Sequence, residues 1–125
     1  MSNSFLLNDF YSIDSFAKSD TTISATVSLN HQHAIFKGHF EQMPVVPGVC
    51  QTQMIKELLQ QELKTSLTLT KGNNIKFTGM IVPTQHPKIS IEIIYKSENN
   101  EYLAEAKLFF ENTIFTKFKG TFTKN

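Results

Sequence analysis

The chain has 125 residues, 40% hydrophobic and 18% charged, with a formal net charge of +1. This suits one domain, expected to span 1–125, because domains cluster near ~100–150 residues; it argues against a disordered chain and against a nucleic-acid or membrane-surface binder. The lone Cys50 excludes an intramolecular disulfide and a multi-cysteine zinc site and fits a reducing cytosol, and the absence of any run near ~18 apolar residues, or of a charged, apolar leader, makes a cytoplasmic chain the expectation.

The segment from Leu7 to Phe16 reads as a first strand. Thr21 to Leu29 alternates Ile23, Ala25, Val27 and Leu29 with small or polar residues, the period-2 mark of a half-buried strand. Residues 31–48 carry Gly38, Pro44, Pro47 and Gly48, which break regular structure. Ile35, Phe36, Phe40, Met43, Val45 and Val46 make that segment a packed loop. From 49 to 64 the spacing turns helical. Val49, Met54, Ile55, Leu58, Leu59 and Leu63 form the apolar stripe, and Gln51, Lys56, Glu57, Gln60 and Gln61 fill the other face. Pro47 fits just ahead of the first turn. Lys71-Gly72-Asn73-Asn74 is a turn signal, and strands are expected at 75–82, 88–96, 102–111 and 113–123. Phe115, Phe118 and Phe122 are partly out of step, which points to a bulge. A lone amphipathic helix needs a surface to cover, so the fold class is α+β, with a curved antiparallel sheet wrapped around helix 49–64.

The chemistry concentrates in the window from His31 to Gln53. His39 lies in an apolar loop, and nine residues later Gly48 opens the helix. A helix start offers free N–H groups and partial positive charge. Glycine there lets a carbonyl approach closely. A histidine nearby is suited to general-base work near neutral pH. Together they can polarise a carbonyl and remove an adjacent proton. Every basic residue is lysine, so no bidentate arginine clamp on phosphate or carboxylate is available.

Gly38-His39-Phe40-x-x-x-Pro44-x-x-Pro47-Gly48-Val49 resembles the signature of the hot-dog-fold 3-hydroxyacyl-(acyl carrier protein) dehydratases of fatty-acid synthesis. The match is ungapped and departs at Glu41, where the family has proline. Phe5-Leu6-Leu7 resembles the family's first strand, and Lys76-Phe77 to Pro83 the strand and loop after the helix. The resemblance implies His39 as the base that removes the α proton of a 3-hydroxyacyl thioester. It implies Gly48, with Val49 and Phe40, as substrate-binding residues, the Gly48 amide holding the thioester carbonyl. The family's second catalytic residue, a Glu or Asp contributed by the partner subunit, falls here on Gln53. An amide orients a hydroxyl but has no titratable proton to give. Glu57, one turn on, lies ~6 Å deeper and is not expected to substitute directly.

Three readings stay open: a dehydratase in which Gln53 and water manage the hydroxyl, which is favoured because the loop is so fully kept; a non-catalytic acyl-binding or heterodimer subunit with an acid-bearing paralogue; and an acyl thioesterase. The implied partner is an acyl thioester on acyl carrier protein or coenzyme A, in a homodimer or higher oligomer, with no metal, nucleotide, flavin or nucleic acid. Among the remaining candidates, Cys50 reads as a small packed thiol, His31 and His33 as exposed strand-end histidines with no acid close by to complete a metal site, and His86 as a solvent-facing loop residue. Lys37, Lys71 and Lys76 read as solvated lysines, and the helix stripe as core that borders the acyl tunnel. Phe77 and Met80 are left open as tunnel residues.

Overall fold

Period-2 segments rich in β-branched and aromatic residues build the sheet. In a computed structural model, which describes residues 6–36 and 44–125, six strands run in the order β1-β2-β4-β5-β6-β3, all antiparallel. They are β1 (Tyr11–Ser19), β2 (Thr22–Leu29), β3 (Leu67–Phe77), β4 (Lys88–Glu98), β5 (Glu101–Phe110) and β6 (Thr113–Lys124). The helix α1 is Gly48–Leu63, and a short 3-10 turn covers Ala34–Phe36. The sheet curves around α1, as the patterning implies.

Register explains why one face is buried. Ala25 pairs with Ile91, Ile91 with Leu108, and Leu108 with Thr116. Ile93 pairs with Ala106, and Ala106 with Phe118. These side chains share a face, and with Phe122, Leu67, Met54, Ile55, Leu58 and Leu59 they form the core. Ala104, Ala106 and Gly120 supply small positions between large neighbours. Two-residue turns join the long strands: Asn99 and Asn100 both take positive φ, at 51° and 66°, as a type I′ hairpin requires.

Five sequence expectations are corrected here. Lys71 to Asn74 is not a turn but the middle of β3, which pairs with β6 throughout. Register shifts leave Thr70 and Asn73 as extra residues, so glycine and asparagine here mark bulges in an edge strand. Correspondingly β3 ends at Phe77 and does not reach Val82. The described part of Phe5-Leu6-Leu7 is no strand: Leu6 and Leu7 sit in a bend and an isolated bridge before β1. Finally, Gln51, Glu57 and Gln60 are not on a solvated face; they are 3%, 1% and 7% exposed, whereas Val49, assigned to the apolar stripe, is 76% exposed.

The bulge expected in β6 is present. Thr116 pairs with Leu108 and Ile114 with Phe109, which leaves Phe115 as the inserted residue. The insertion lets Phe115 and Thr116 both be buried.

Among the described glycines, Gly120 has the closest backbone neighbour. A Cβ there would lie 2.8 Å from the Lys71 carbonyl oxygen and 2.7 Å from the Phe118 ring. Gly120→Ala is expected to lower the unfolding free energy by about 1–3 kcal/mol in chemical denaturation. Gly72→Ala, whose Cβ would approach the mobile tip of Ile75 at 3.1 Å, is expected to cost less than about 1 kcal/mol.

Candidate functional site

The site is built at the start of α1. Pro47, extended at φ −62° and ψ 148°, precedes the first turn and supplies no side-chain cap. Its carbonyl accepts from the amides of Cys50 and Gln51. The amides of Gly48 and Val49 have no partner among the described residues. They are the orphan donors of a helix start, with the positive end of the helix dipole behind them.

Gly48 has a packing role that the sequence did not show. The Phe77 ring rests on it, so a Cβ would lie 2.7 Å from Phe77 Cζ. Phe77 and Met80 are 52% and 60% exposed. With Val49, the Phe77 ring makes an apolar rim beside the two unpaired amides.

Gln51, Gln53 and Glu57 descend the helix from that point. The Gln51 side chain donates to the Val46 carbonyl at 3.2 Å and accepts from the Thr116 hydroxyl, which locks the incoming loop to β6. Gln53 donates from Nε2 to Glu57 Oε2 at 2.9 Å. The Glu57 carboxylate also accepts from the amides of Leu6 and Leu7 and from the Tyr11 hydroxyl, each at 3.0 Å. Burial, then the Glu57 charge and its hydrogen bond, push the Tyr11 phenol well above its ordinary range. Glu57 is therefore a buried anchor wired to Gln53, a link that i, i+4 spacing permits but that its distant partners hide from sequence reading.

His39 and Phe40 lie outside the described residues, as do Gly38 and Glu41. Of the other residues in the window, His33 sits in a turn and not on a strand. Its Nε2 is 3.0 Å from Asp9 Oδ2 and its ring meets Phe10 edge-on. An acid is thus close in space, although no group of three metal-ligating side chains forms among the described residues. His31 is exposed. His86 does not face solvent freely: its Nδ1 accepts from the Val82 amide at 3.1 Å and its ring meets Phe115 edge-on. Cys50 is a packed thiol, 4% exposed, and burial pushes its pKa up. That makes it a poor nucleophile despite its place in the first helical turn. Lys71 and Lys76 are exposed. No described helix is long and apolar enough to cross a membrane.

Comparison with known proteins places this arrangement among its relatives. A family model of ApeI-like proteins, described as ApeI dehydratase, matches residues 15–114. A 3-hydroxyacyl-[acyl-carrier-protein] dehydratase FabZ of Streptococcus equi subsp. zooepidemicus is 36% identical over 72 residues, covering 52% of this chain and 51% of the relative. The FabZ of Streptococcus pneumoniae strain Hungary19A-6 matches with the same identity and coverage. The chain thus spans about half the length of the curated relatives it matches. Among solved structures, the dehydratase heterocomplex ApeI:P from Xenorhabdus doucetiae aligns at a TM-score of 0.71 and 16% identity, over 89% of this chain and 96% of that one. A thioesterase-type structure from Shewanella oneidensis aligns at 0.58 and 16%, over 93% and 83%. These structural likenesses show the hot-dog fold.

Two expectations follow from the packing. Cys50 in the native chain is expected to react with a disulfide reagent at pH 8 at least about tenfold more slowly than free cysteine, and at the ordinary rate in denaturant. Gly48→Ala is expected to change stability by less than about 1 kcal/mol, because the half-exposed Phe77 ring can swing away; a larger loss in thermal denaturation, not relieved by adding Phe77→Ala, would show that the backbone itself is strained.

Proposed function

The chain belongs to the ApeI-like dehydratase family, and we propose that it removes water from a 3-hydroxyacyl thioester carried on acyl carrier protein or coenzyme A. The observation that carries this reading is the pairing, within one ungapped motif, of His39 with a helix start whose Gly48 amide is unpaired among the described residues.

In the proposed reaction the thioester carbonyl accepts a hydrogen bond from Gly48 N–H. Negative charge develops on that oxygen as the α proton leaves, and the helix start is placed to stabilise it. His39 takes the proton from C2. The C2–H electron pair becomes the C2=C3 double bond, and the C3–O bond breaks. The departing hydroxyl needs a proton, which Gln53 cannot give. The imidazolium of His39 returns the proton it has just taken, so the products are an enoyl thioester and water and the histidine is restored. Gln53 orients the hydroxyl. Val49 and Phe40 contribute to the acyl-binding surface, and the Phe77 ring beside Gly48 supports an apolar chain lying there. The proposed assembly is a single cytoplasmic domain over 1–125, at least dimeric, in which a partner covers part of the apolar rim.

A second reading is favoured by one residue. With Gln53 in place of an acid, the chain is one half of a heterodimer whose paralogue supplies the carboxyl group; the ApeI:P structure is itself a dehydratase heterocomplex. Loss of a positioned general acid costs on the order of 10²–10⁴ in rate, so a chain working alone is expected to be slow.

Mass spectrometry of a 3-hydroxyacyl-carrier protein incubated with the purified chain separates these readings. Loss of water that disappears with His39→Ala is the expected result. Release of free acid would make the chain a thioesterase. An unchanged substrate, turned over when an acid-bearing paralogue is added, would make it a heterodimer subunit.

A further inference from the structure

Gln53 has two faces, a donor and an acceptor, and which one meets the substrate decides what it can do there. The structure settles this through Glu57. Each Glu57 oxygen accepts from a backbone N–H, Oε1 from Leu7 and Oε2 from Leu6. Three donors converge on the two oxygens, and as a carboxylate the group offers acceptors only. The Gln53 amide approaches Oε2 at 2.9 Å. Its oxygen would meet another acceptor at that distance, so the nitrogen must face Glu57. The amide oxygen is thereby turned away from Glu57, and it has no partner among the described residues.

We propose that Glu57 is a positioning residue which fixes the Gln53 amide with Oε1 outward, so that the substrate's 3-hydroxyl meets an acceptor. This rests on the reading of Gln53 as the residue on the hydroxyl side. An outward Oε1 accepts the hydroxyl hydrogen and turns the hydroxyl's lone pairs away from Gln53, leaving the oxygen open to the proton donor. A freely rotating amide would spend part of its time presenting N–H groups to the same lone pairs and competing with that donor. Glu57 is held independently of Gln53, by residues 6 and 7 and by Tyr11, which is itself 2% exposed. Its carboxylate is therefore a fixed reference against which the amide is set. Glu57 touches no substrate in this scheme; it acts through Gln53.

The test uses the full chain. Side-chain amide signals of Gln53 are read by nitrogen-15 NMR in the native chain and in Glu57→Gln, with Gln53→Ala to assign them. Steady-state kinetics on a 3-hydroxyacyl thioester follow for Glu57→Gln, Gln53→Ala and the double variant. The expected result is a Gln53 amide signal displaced from the solvent-exposed position in the native chain and returned to it in Glu57→Gln. The kinetic counterpart is a fall in kcat of about tenfold with KM within about twofold. Adding Glu57→Gln to Gln53→Ala should lower kcat no further. A Gln53 signal unmoved by Glu57→Gln would overturn the proposal, and so would losses that multiply in the double variant, the result a merely structural Glu57 gives. If Glu57→Gln does not fold, Glu57→Asp is read in its place: it keeps a carboxylate for the backbone donors but withdraws it from Gln53, and it should displace the same signal and lower kcat in the same sense. A native chain without dehydratase activity would overturn the proposed function, while the NMR comparison still decides how the amide faces.

Discussion

A carboxylate buried in an apolar interior is costly unless donors converge on it. Glu57 meets that condition from three directions: the chain before β1, the hydroxyl on β1, and the helix turn above. This one group holds the start of the described chain against the helix. Removing it would leave two amides, a phenol and a side-chain amide short of an acceptor. The other buried polar residues of α1 work alike at different seams. Gln51 joins the incoming loop to β6, and Gln60 accepts from the Leu67 amide at 2.8 Å, where β3 begins. No described buried side-chain N or O atom lacks a partner. Apolar contacts supply most of the burial, but these polar stitches set where the helix stops, turns and faces.

Much of this was legible because periodicity is a local property. The alternation of Ile23, Ala25, Val27 and Leu29 marks β2, and the misfit of Phe115, Phe118 and Phe122 marks the β6 bulge. The apolar spacing of Met54, Ile55, Leu58 and Leu59 marks the helix. What failed was whatever depended on distant partners. Gln51, Glu57 and Gln60 look solvated until Thr116, Leu6, Tyr11 and Leu67 are brought to them. Gly72 and Asn73 have turn composition, but pairing with β6 carries the strand through them as a bulged edge. Gly48 was read for its amide, and the ring of Phe77 lying on its α-carbon was invisible. The motif identified the family, whereas the carboxylate behind Gln53, one helical turn on, gains its meaning only from Leu6, Leu7 and Tyr11.

The site divides its labour between two kinds of polar group. Backbone amides at the helix start are fixed donors whose number does not depend on pH. Side chains below them carry the variable chemistry. One fold can therefore host different chemistries through its side chains. In this chain the Gln53 amide is backed, four residues on, by the buried carboxylate of Glu57.

The strand order also governs how the chain reaches this state. β4, β5 and β6 are sequence neighbours joined by two-residue turns, so their pairing closes short loops. The β1–β2 hairpin is equally short, whereas the β2–β4 and β3–β6 pairings close long loops. Ser28 meets Lys88 and Leu67 meets Lys124, and each of these closures must bridge much of the chain. Loop-closure entropy grows with the enclosed length. The three-stranded meander and the β1–β2 hairpin are thus the inexpensive parts of the topology. The helix start lies in the stretch of chain enclosed by the β2–β4 pairing. The helix start is accordingly enclosed by one of the two most entropically demanding pairings of the sheet.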